Sequence, residues 1–361
     1  MTEKQKIFVV VGGSGGHVFP GCNLADHLIK SNFDVKILCD KRGFKFLENF
    51  TNLNTLILPA SPIVNKNVFT QFLSIIKIFY SFLISFIFLI YRRPSAIFGM
   101  GGYASFPICF AASILRIKFI IYENNLVIGK ANKYLLPFAE KIFVSHKNLK
   151  GISEKYRDRI VEIGNIIKKD IIKISKKKYL KKDYKKLSIL VLGGSQAAKI
   201  FADLLPEIFY KCSNHGIALK ISQQCLPQQN ENLTSFYKKN NIEFEIFNFT
   251  NKIENYFSKI NLAITRSGSS ILAELTNARV PFISVPLPSS ADNHQFHNAM
   301  YYCKNYNTFL VEEKDLENKL LNIFKEITND HQILKNISDR QGQYSDINVY
   351  ENINQELQKI L

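Results

Sequence analysis

The stretch VVVGGSGGHVFPG, Val9–Gly21, decides how the chain begins to fold and raises the question of its chemistry. Four glycines surround Ser14, and His17 follows them, directly after an apolar run that is typical of a buried β-strand. The spacing of Gly12–Gly16 is the G-x-S-x-G of a hydrolase nucleophile elbow. The same glycines would let an anionic or bulky ligand approach the backbone. Spacing alone does not decide between these two hypotheses.

Short β-branched runs alternate with helical stretches on both sides of this loop. This alternation predicts an α/β protein with parallel sheets covered by helices on both faces. Ile189–Lys199, ILVLGGSQAAK, echoes Ile7–His17, IFVVVGGSGGH, and 361 residues exceed what one core usually organises. We therefore expect two Rossmann-like domains joined within a lysine-rich stretch. The predicted strands are KIFVVV, DVKILCD, TLILP, AIFGM, KFIIYE and KIFVS, then LSILVLGG, IALKIS, IEFEIF, NLAIT and VPFISVP.

The formal net charge of +17 predicts attraction to polyanions, which are nucleic acids, anionic lipids or phosphorylated substrates. Many of the positive charges lie in Lys168–Lys186, which we interpret as a solvated linker or exposed helix because no nucleic-acid-binding module surrounds it. No nucleic-acid partner is expected. Six cysteines without a C-x-x-C pair, and a first apolar stretch too short for a secretory signal, indicate a reducing cytosolic compartment.

Residues 68–91, VFTQFLSIIKIFYSFLISFIFLIY, carry a single charge, Lys77. At about 1.5 Å per residue, a helix of this length could cross a hydrocarbon core of about 30 Å. A single crossing would, however, separate the first glycine loop from the rest of its own sheet. We therefore predict a crossover helix that packs one side on the sheet and offers the other to a membrane interface, with Arg92 and Arg93 placed for lipid phosphates.

Further glycine-rich loops follow other predicted strands. Ligands of open parallel sheets bind beyond the carboxyl ends of the strands, so the loop Gly99–Tyr103 and Glu123-Asn124-Asn125 are expected to form one pocket with the first loop. In the second half, TRSGSSILAE, Thr265–Glu274, leads from a strand into a helix whose first N–H groups and dipole suit a diphosphate. Glu274 lies where it could bind ribose hydroxyls.

A metal site is not expected. His294 and His297 have a spacing that a metal could use, but no third ligand stands at a supporting distance along the chain. No Asp-x-Asp pair is present to hold a divalent cation on a nucleotide. A departing diphosphate would then be stabilised by the helix dipole and backbone donors, and no cofactor is implied.

Seven motifs together resemble, in order and spacing, the bacterial UDP-N-acetylglucosamine:muramyl-pentapeptide pyrophosphoryl-undecaprenol N-acetylglucosaminyltransferases, the MurG family. The motifs are GGSGGHVFPG, GMGGYASFP, YENNLVIGKANK, GNIIK, GGSQAAK, RSGSSILAEL and DNHQFHNA, and they span essentially the whole chain. The resemblance implies a GT-B fold, in which two Rossmann-like domains have parallel sheets facing an interdomain cleft. It implies an acceptor- and membrane-binding domain over residues 1–164, to which a C-terminal helix at 341–361 returns, and a UDP-GlcNAc-binding domain over 165–340.

The resemblance also implies the reaction. GlcNAc would pass with inversion from UDP-GlcNAc to the C4 hydroxyl of undecaprenyl-pyrophosphoryl-MurNAc-pentapeptide (lipid I), giving lipid II for peptidoglycan synthesis. The protein would be peripheral on the cytoplasmic face of the bacterial inner membrane, bound to the anionic surface through residues 68–93. Other readings of the fold remain open: a different membrane-associated glycolipid glycosyltransferase, or a UDP-GlcNAc epimerase. A membrane-spanning scaffold or nucleic-acid binder is the alternative from another class.

Carried over by position, the resemblance implies three sets of site residues. Gly101, Gly102 and Tyr103 would bind the acceptor, and His17 and Glu123 would be catalytic. The chain departs from the family where Gly-Asn-Pro-x-Arg reads Gly164-Asn165-Ile166-Ile167-Lys168, so a bidentate arginine contact becomes a point-charge contact. The implied contacts to UDP-GlcNAc are Ser14, Gly15, Gly16, Asn125, Lys168, Ser195, Thr250, Ser269, Ser270, Ile271, Leu272, Ala273, Glu274 and Gln295.

The chemistry of the first loop can then be predicted. A nucleophile elbow needs Asp and His partners later in the chain and an oxyanion loop before it, whereas the nearby base, His17, lies in the same loop as Ser14. We therefore expect the glycines to admit sugar and phosphate, and Ser14 not to be a nucleophile. The attacking hydroxyl needs a general base. His17 is the first candidate, because an imidazole is readily neutral at cytosolic pH, and Glu123 is the second.

Overall fold

Strands and helices alternate along the chain, as the sequence predicts. The computed structural model describes residues 4–48, 50, 52–62, 68–176, 186–194 and 199–361. The first half contains β1 (Lys6–Val11), α1 (Gly15–Lys30), β2 (Asp34–Cys39), α2 (Lys41–Leu47), β3 (Thr55–Ile57), α3 (Val68–Tyr91), β4 (Ala96–Gly99), α4 (Ser105–Ile114), β5 (Phe119–Glu123), α5 (Lys130–Leu135), β6 (Lys141–Val144), β7 (Ile160–Glu162) and α6 (Lys169–Lys176).

The second half repeats this alternation. It contains β8 (Leu187–Leu192), α7 (Lys199–Asn214), β9 (Leu219–Gln224), α8 (Asn230–Lys239), β10 (Glu243–Phe247), α9 (Glu254–Phe257), β11 (Leu262–Arg266), α10 (Ser269–Asn277), β12 (Phe282–Val285), α11 (His294–Tyr306), β13 (Phe309–Leu310), α12 (Leu316–Asn329), α13 (Gln332–Gln341) and α14 (Val349–Ile360). By contacts the chain divides into Met1–Lys168 with Asp346–Leu361, the first unit, and Lys169–Ser345, the second unit.

The first unit is built on a parallel sheet of seven strands in the order β3-β2-β1-β4-β5-β6-β7. Residues Ile7–Val11 of β1 are buried on both faces, which explains why this strand is a continuous apolar run rather than an alternating one. Because β1, β4 and β5 are neighbours, the three glycine- and asparagine-rich loops that follow them lie side by side at one edge of the sheet. The edge strand β7, of three residues, is too short to give a sequence signal and was not predicted.

Helix α3 has the predicted bounds and an unusual distribution of side chains. Its buried face includes Ser74, Ser81 and Ser85, and each hydroxyl donates a hydrogen bond to the carbonyl oxygen four residues earlier, at 2.8, 2.7 and 2.7 Å. Many of its large apolar side chains are exposed, among them Phe69 at 68% and Tyr91 at 80%, whereas Leu89 is fully buried and Phe82 packs against the core. Within the described residues, Phe69–Tyr91 is the one segment long and apolar enough to cross a membrane, judged by length and composition alone.

The second unit has a parallel sheet of six strands in the order β10-β9-β8-β11-β12-β13. Its core includes Phe201, Phe209 and Phe324, which pack α7 and α12 onto one face of the sheet. Strands β8 and β11 are neighbours, so the loops that follow them share one edge. The two-residue strand β13 was not predicted, again because it is too short to leave a pattern.

The last helix follows a polar, glycine-containing break, as the sequence of residues 339–346 indicates. Within residues 341–361, Gln341 ends α13 in the second unit and α14 begins at Val349. The segment between them contains Gly342 and the buried Asp346, whose Oδ1 accepts a hydrogen bond from the backbone N–H of Asn165 at 2.7 Å. The polar break between the two helices therefore has a structural role of its own, since it ties the end of the chain to the first unit.

Candidate functional site

The first glycine loop joins β1 to α1 and is shaped by close packing. A Cβ atom on Gly12 would lie 2.4 Å from the Cβ of Ala104 and 2.6 Å from Oδ1 of Asp40, so only glycine fits there. Gly13 has φ +76°, a conformation that glycine adopts without strain. Ser14 is the N-cap of α1, and its side chain makes no capping hydrogen bond. The loop thus brings the first N–H groups of α1, those of Gly15 and Gly16, to the carboxyl edge of the sheet.

His17 is held by the second glycine loop. Its Nδ1 lies 2.9 Å from the carbonyl oxygen of Met100. A carbonyl oxygen can only accept, so Nδ1 carries the proton and the lone pair of the neutral ring is on Nε2. Gly101 and Gly102, at φ +91° and +73°, lie against the ring: Cβ atoms there would be 3.0 Å from Cε1 and 3.2 Å from Cδ2. Gly101 and Gly102, which are predicted to bind the acceptor substrate, therefore also form the surface on which the His17 ring packs.

Glu123, at the end of β5, is 2% exposed and each of its carboxylate oxygens accepts two hydrogen bonds. Oε1 accepts from the backbone N–H and the side-chain amide of Asn125, at 3.1 and 3.0 Å. Oε2 accepts from the N–H of Gly129 and from Nδ2 of Asn132, at 2.9 and 3.0 Å. Four protein donors thus occupy the acceptor positions of the carboxylate. This arrangement favours a role for Glu123 in holding the loop after β5.

The loops after β1 and β5 are also joined directly. Nδ2 of Asn124 donates to the carbonyl oxygen of Gly16 at 3.2 Å. The side-chain amide of Asn125 is directed at Glu123 and at Oδ1 of Asn124, at 3.0 and 3.1 Å. The structure therefore brings together His17, Glu123, Asn125 and the first glycine loop, as expected from the order of the strands. The sequence analysis did not identify Asn124 and Asn132 as residues that hold these loops in place. Spacing along the chain does not show which group a side-chain amide will bind.

Tyr103 forms a hydrogen bond that the sequence did not suggest. Its hydroxyl donates to Oδ2 of Asp40 at 2.5 Å, and Oδ1 of Asp40 accepts from the N–H groups of Gly13 and Gly43, at 3.1 and 2.8 Å. Burial, and then the hydrogen bond and the charge of Asp40, raise the pKa of Tyr103 well above its ordinary value. The phenol is therefore neutral throughout the physiological range, with its proton directed at Asp40.

Lys168 ends the first unit, after a backbone segment that is firmly held. Gly164 has φ +95°, and a Cβ atom there would be 2.7 Å from Oδ1 of Asp346. The N–H of Ile166 donates to the hydroxyl of Tyr122 at 3.0 Å. These contacts define the course of the chain up to Lys168, whose side chain is half-buried.

The N-terminus of α10 in the second unit follows β11. Gly268 is its N-cap, and Ser269, Ser270 and Ile271 form its first turn, whose N–H groups have no acceptor within the helix. The side chains of Leu272 and Ala273 are fully buried in the core, so of the predicted stretch Ser269–Glu274 these two residues can offer a ligand only backbone atoms.

Gln295 connects two loops of the second unit. Its Oε1 accepts hydrogen bonds from the N–H groups of Ser267 and Leu287, at 3.2 and 3.0 Å, and so joins the loop before α10 to the loop after β12. Nδ2 of Asn298 donates to the carbonyl oxygen of Ser267 at 3.2 Å. The two hydrogen bonds to Gln295 use only its Oε1 atom, so its Nε2 group, which can only donate, takes part in neither. Gln295, a predicted contact of UDP-GlcNAc, is therefore also placed to support the N-terminus of α10.

The remaining predicted donor contacts lie on other loops of the second unit. Thr250 follows β10, and its Oγ1 accepts from the N–H of Lys252 at 3.0 Å in a local turn. Ser195 lies outside the described residues; in the sequence it follows Gly194, two residues after the end of β8. His294 Nδ1 lies 2.8 Å from the carbonyl oxygen of Ala291. Across the described part of the chain, no group of three His, Cys, Asp or Glu side chains is arranged to hold a metal ion.

Comparisons with known proteins cover almost the whole chain. Residues 7–144 match the glycosyltransferase family 28 N-terminal domain, and residues 188–350 match the glycosyltransferase family 28 C-terminal domain. A protein of Pelagibacter ubique is 37% identical over 97% of both chains, and one of Rickettsia bellii is 34% identical over 92% of this chain and 94% of its own. Both are named UDP-N-acetylglucosamine--N-acetylmuramyl-(pentapeptide) pyrophosphoryl-undecaprenol N-acetylglucosamine transferase.

Solved structures support the same fold. The crystal structure of Acinetobacter baumannii MurG matches with a TM-score of 0.76 at 22% identity, over 99% of this chain and 100% of that one. A putative UDP-N-acetylglucosamine 2-epimerase of Listeria monocytogenes matches with a TM-score of 0.65 at 14% identity, over 99% and 96%. The predicted two-domain α/β architecture is confirmed as a GT-B fold. The chain belongs to the MurG family of N-acetylglucosamine transferases, within glycosyltransferase family 28.

Proposed function

We propose that this protein transfers GlcNAc from UDP-GlcNAc to the C4 hydroxyl of lipid I, with inversion at the anomeric carbon, to give lipid II for peptidoglycan synthesis. The observation that carries the proposal is the similarity, from end to end, to relatives named for this transfer. In this proposal the first unit binds the acceptor through Gly101, Gly102 and Tyr103, and the second unit binds the donor.

His17 is the general base of the proposed reaction. Its Nδ1 is bound to the carbonyl oxygen of Met100, so Nε2 is the atom that accepts the proton of the attacking hydroxyl. The second candidate, Glu123, already accepts four hydrogen bonds from the protein. We therefore assign proton transfer to His17 and the positioning of Asn125 and the loop after β5 to Glu123. Ser14 takes no covalent role, because the imidazole beside it is bound to a carbonyl oxygen rather than to the carboxylate of a triad.

The diphosphate of UDP binds at the N-terminus of α10 in this proposal. The positive end of the helix dipole and the N–H groups of its first turn suit an anion, and Nε2 of Gln295 adds a donor nearby. As the sugar leaves, the same groups stabilise the charge that develops on UDP. Glu274 serves the ribose hydroxyls. The other proposed donor contacts are Ser14, Gly15, Gly16, Asn125, Lys168, Ser195 and Thr250.

Attachment to a membrane is proposed through residues 68–93. The outer face of α3 is apolar, and Lys77, Arg92 and Arg93 are exposed along it and at its end. The inner face packs on α4, where Phe82 contacts Phe110, and Leu89 is buried in the core of the first unit. Helix α3 is therefore an integral part of the first unit and serves as a surface helix rather than a crossing one. The polyanion that the net charge of +17 suits is accordingly the anionic cytoplasmic leaflet.

Transfer of labelled GlcNAc by the purified protein tests the proposal. Incubation with UDP-GlcNAc and lipid I should give lipid II and UDP. A diacylglycerol acceptor in place of lipid I should give no product, and a reaction without any acceptor should leave UDP-GlcNAc unchanged. Product with diacylglycerol would indicate another glycolipid transferase, and conversion of UDP-GlcNAc alone would indicate an epimerase; either result would replace the proposed function.

A further inference from the structure

A buried carboxylate outside the predicted site connects three loops at the edge of the first sheet. Asp40 follows β2 and is 2% exposed. It accepts hydrogen bonds from the loop after β1 through Gly13, from α2 through Gly43, and from the loop after β4 through Tyr103. We infer that Asp40 is a positioning residue for the proposed transfer reaction, acting through Tyr103 on the loop that holds the His17 imidazole.

The space that the Asp40 carboxylate occupies exists because two neighbouring residues are glycines. A Cβ atom on Gly12 would lie 2.6 Å from Oδ1 of Asp40, and one on Gly43 would lie 2.9 Å from the same oxygen. Both distances are too short for a real contact, so residues 12 and 43 must be glycine for the carboxylate to occupy this place. The glycines of the first loop therefore serve an internal partner as well as a ligand.

The connection from Asp40 to His17 runs through one short loop. Tyr103 directly follows Gly101 and Gly102, which pack against the imidazole ring. It lies three residues after Met100, whose carbonyl oxygen accepts the hydrogen bond from Nδ1 of His17. Two successive glycines with positive φ give this loop little stiffness of its own. Fixing the Tyr103 hydroxyl on Asp40 therefore fixes the segment that sets the orientation and tautomer of His17.

Asp40 occupies a position that has another use in related folds. In dinucleotide-binding domains, an acidic residue about 20 residues after the glycine loop binds the ribose hydroxyls of the nucleotide. Here both oxygens of the acid are directed at protein donors and the residue is buried. The acid has become an internal support, so its loss should impair catalysis while nucleotide binding is unchanged.

A double-mutant cycle on the full-length protein tests this inference, which rests on the proposed function. The variants are Asp40→Asn, Tyr103→Phe and the combination, assayed for kcat with lipid I, for the KM of UDP-GlcNAc, and for the Kd of UDP. Each single variant should lower kcat by roughly 10- to 100-fold, as expected for a misplaced catalytic group, with the Kd of UDP within about twofold of wild type. The double variant should be no slower than the slower single variant.

Controls separate the possible failures. Asp26→Asn, an exposed acid on α1 paired with Lys30, should keep the wild-type kcat. Multiplying losses in the double variant, an unchanged kcat in both single variants, or a UDP affinity weakened more than about tenfold would each overturn the inference. If Asp40→Asn does not fold, Tyr103→Phe alone decides by the same criteria of kcat and UDP affinity.

A second readout does not depend on activity. Nitrogen NMR of the His17 ring, assigned by comparison with His17→Gln, should show the Nδ1-protonated form in the wild type and a mixture of tautomers in Tyr103→Phe. An unchanged tautomer in Tyr103→Phe would overturn the inference. A wild-type protein that shows the expected tautomer but no transfer to lipid I would instead contradict the proposed function.

Discussion

Nδ1 of His17 lies 2.9 Å from the carbonyl oxygen of Met100, and this hydrogen bond determines which nitrogen of the ring can take up a proton. The bond comes from the loop after β4, whereas His17 belongs to α1. His17 and the carbonyl group that orients its ring thus follow neighbouring strands of one sheet, β1 and β4. The order β1-β4 is what makes the site possible.

His17→Ala should lower kcat by about 10²- to 10⁴-fold, the usual contribution of a general base. The Kd of UDP should change little, because the imidazole serves the acceptor hydroxyl. Steady-state assays with lipid I and calorimetry with UDP measure the two quantities. His215→Ala, at an exposed histidine of the second unit, is the matched control and should behave as wild type. Turnover near the wild-type value in His17→Ala would remove His17 from the role of base.

Glu123→Gln should destabilise the first unit and slow the reaction without changing the shape of its pH profile. An amide places an NH₂ group where two of the four donors now point, so two hydrogen bonds to a buried charge are lost, at a cost of about 2–3 kcal/mol or more in the free energy of unfolding. Denaturant unfolding and the pH dependence of kcat/KM measure the effect. Loss of the acidic limb of that profile would indicate instead that Glu123 is the base.

Gln295→Leu should weaken UDP binding by roughly 10- to 100-fold. The substitution leaves the backbone N–H groups of Ser267 and Leu287 without their acceptor, at about 1–3 kcal/mol for an unsatisfied buried donor, and removes the Nε2 donor. Gln295→Glu keeps an acceptor oxygen for these two N–H groups and replaces the Nε2 donor by a negatively charged oxygen, so it should keep the loop intact while repelling the diphosphate. Calorimetric titration with UDP compares the two variants, and wild-type affinity in both would contradict the proposed donor site.

Ile75→Ser on the outer face of α3 should weaken binding to vesicles about tenfold or more, since burying a side chain of this size contributes about 1.5–3 kcal/mol. Ile75 is 62% exposed, so the folded protein should be as stable as wild type. Flotation with vesicles of anionic and of neutral lipid measures the partition. Ser81→Ala, on the buried face, is the control for the helix itself. Unchanged flotation of Ile75→Ser would exclude this face from the membrane contact.

The stability of the first unit should fall as the pH drops from about 6.5 to about 4. Burial lowers the pKa of His146 to about 4, so in this range the unfolded chain binds a proton that the folded protein does not. The loss should reach about 3 kcal/mol at the acid end of the window. Denaturant unfolding at several pH values measures it, and His146→Gln should flatten this part of the dependence. An equal slope in wild type and variant would show that other groups are responsible.

Local sequence patterns predicted the strands, the helix at residues 68–91 and the loops of the site, because buried parallel strands and glycine turns leave signals within a few residues. The short edge strands β7 and β13 leave no such signal. The role of Asp40 was not predicted for a different reason. An aspartate before Lys41 is an ordinary N-cap, and the partner that gives it a further role, Tyr103, is 63 residues away along the chain. The predicted contacts at Leu272 and Ala273 had to be narrowed to backbone atoms once their burial was known.

The return of the chain to the first unit limits how the protein can be divided. The segment Ile163–Lys168 is held by residues that come after the second unit: Asp346 binds Asn165, the hydroxyl of Tyr350 donates to Ile167 at 2.6 Å, and Nδ2 of Asn352 donates to Ile163 at 3.2 Å. A fragment cut at residue 168 would lack all three. An isolated first unit must therefore join Lys168 to Asp346 directly, and a chimaera that exchanges second units between relatives must insert the new unit between these two residues. Neither can be made with a single junction.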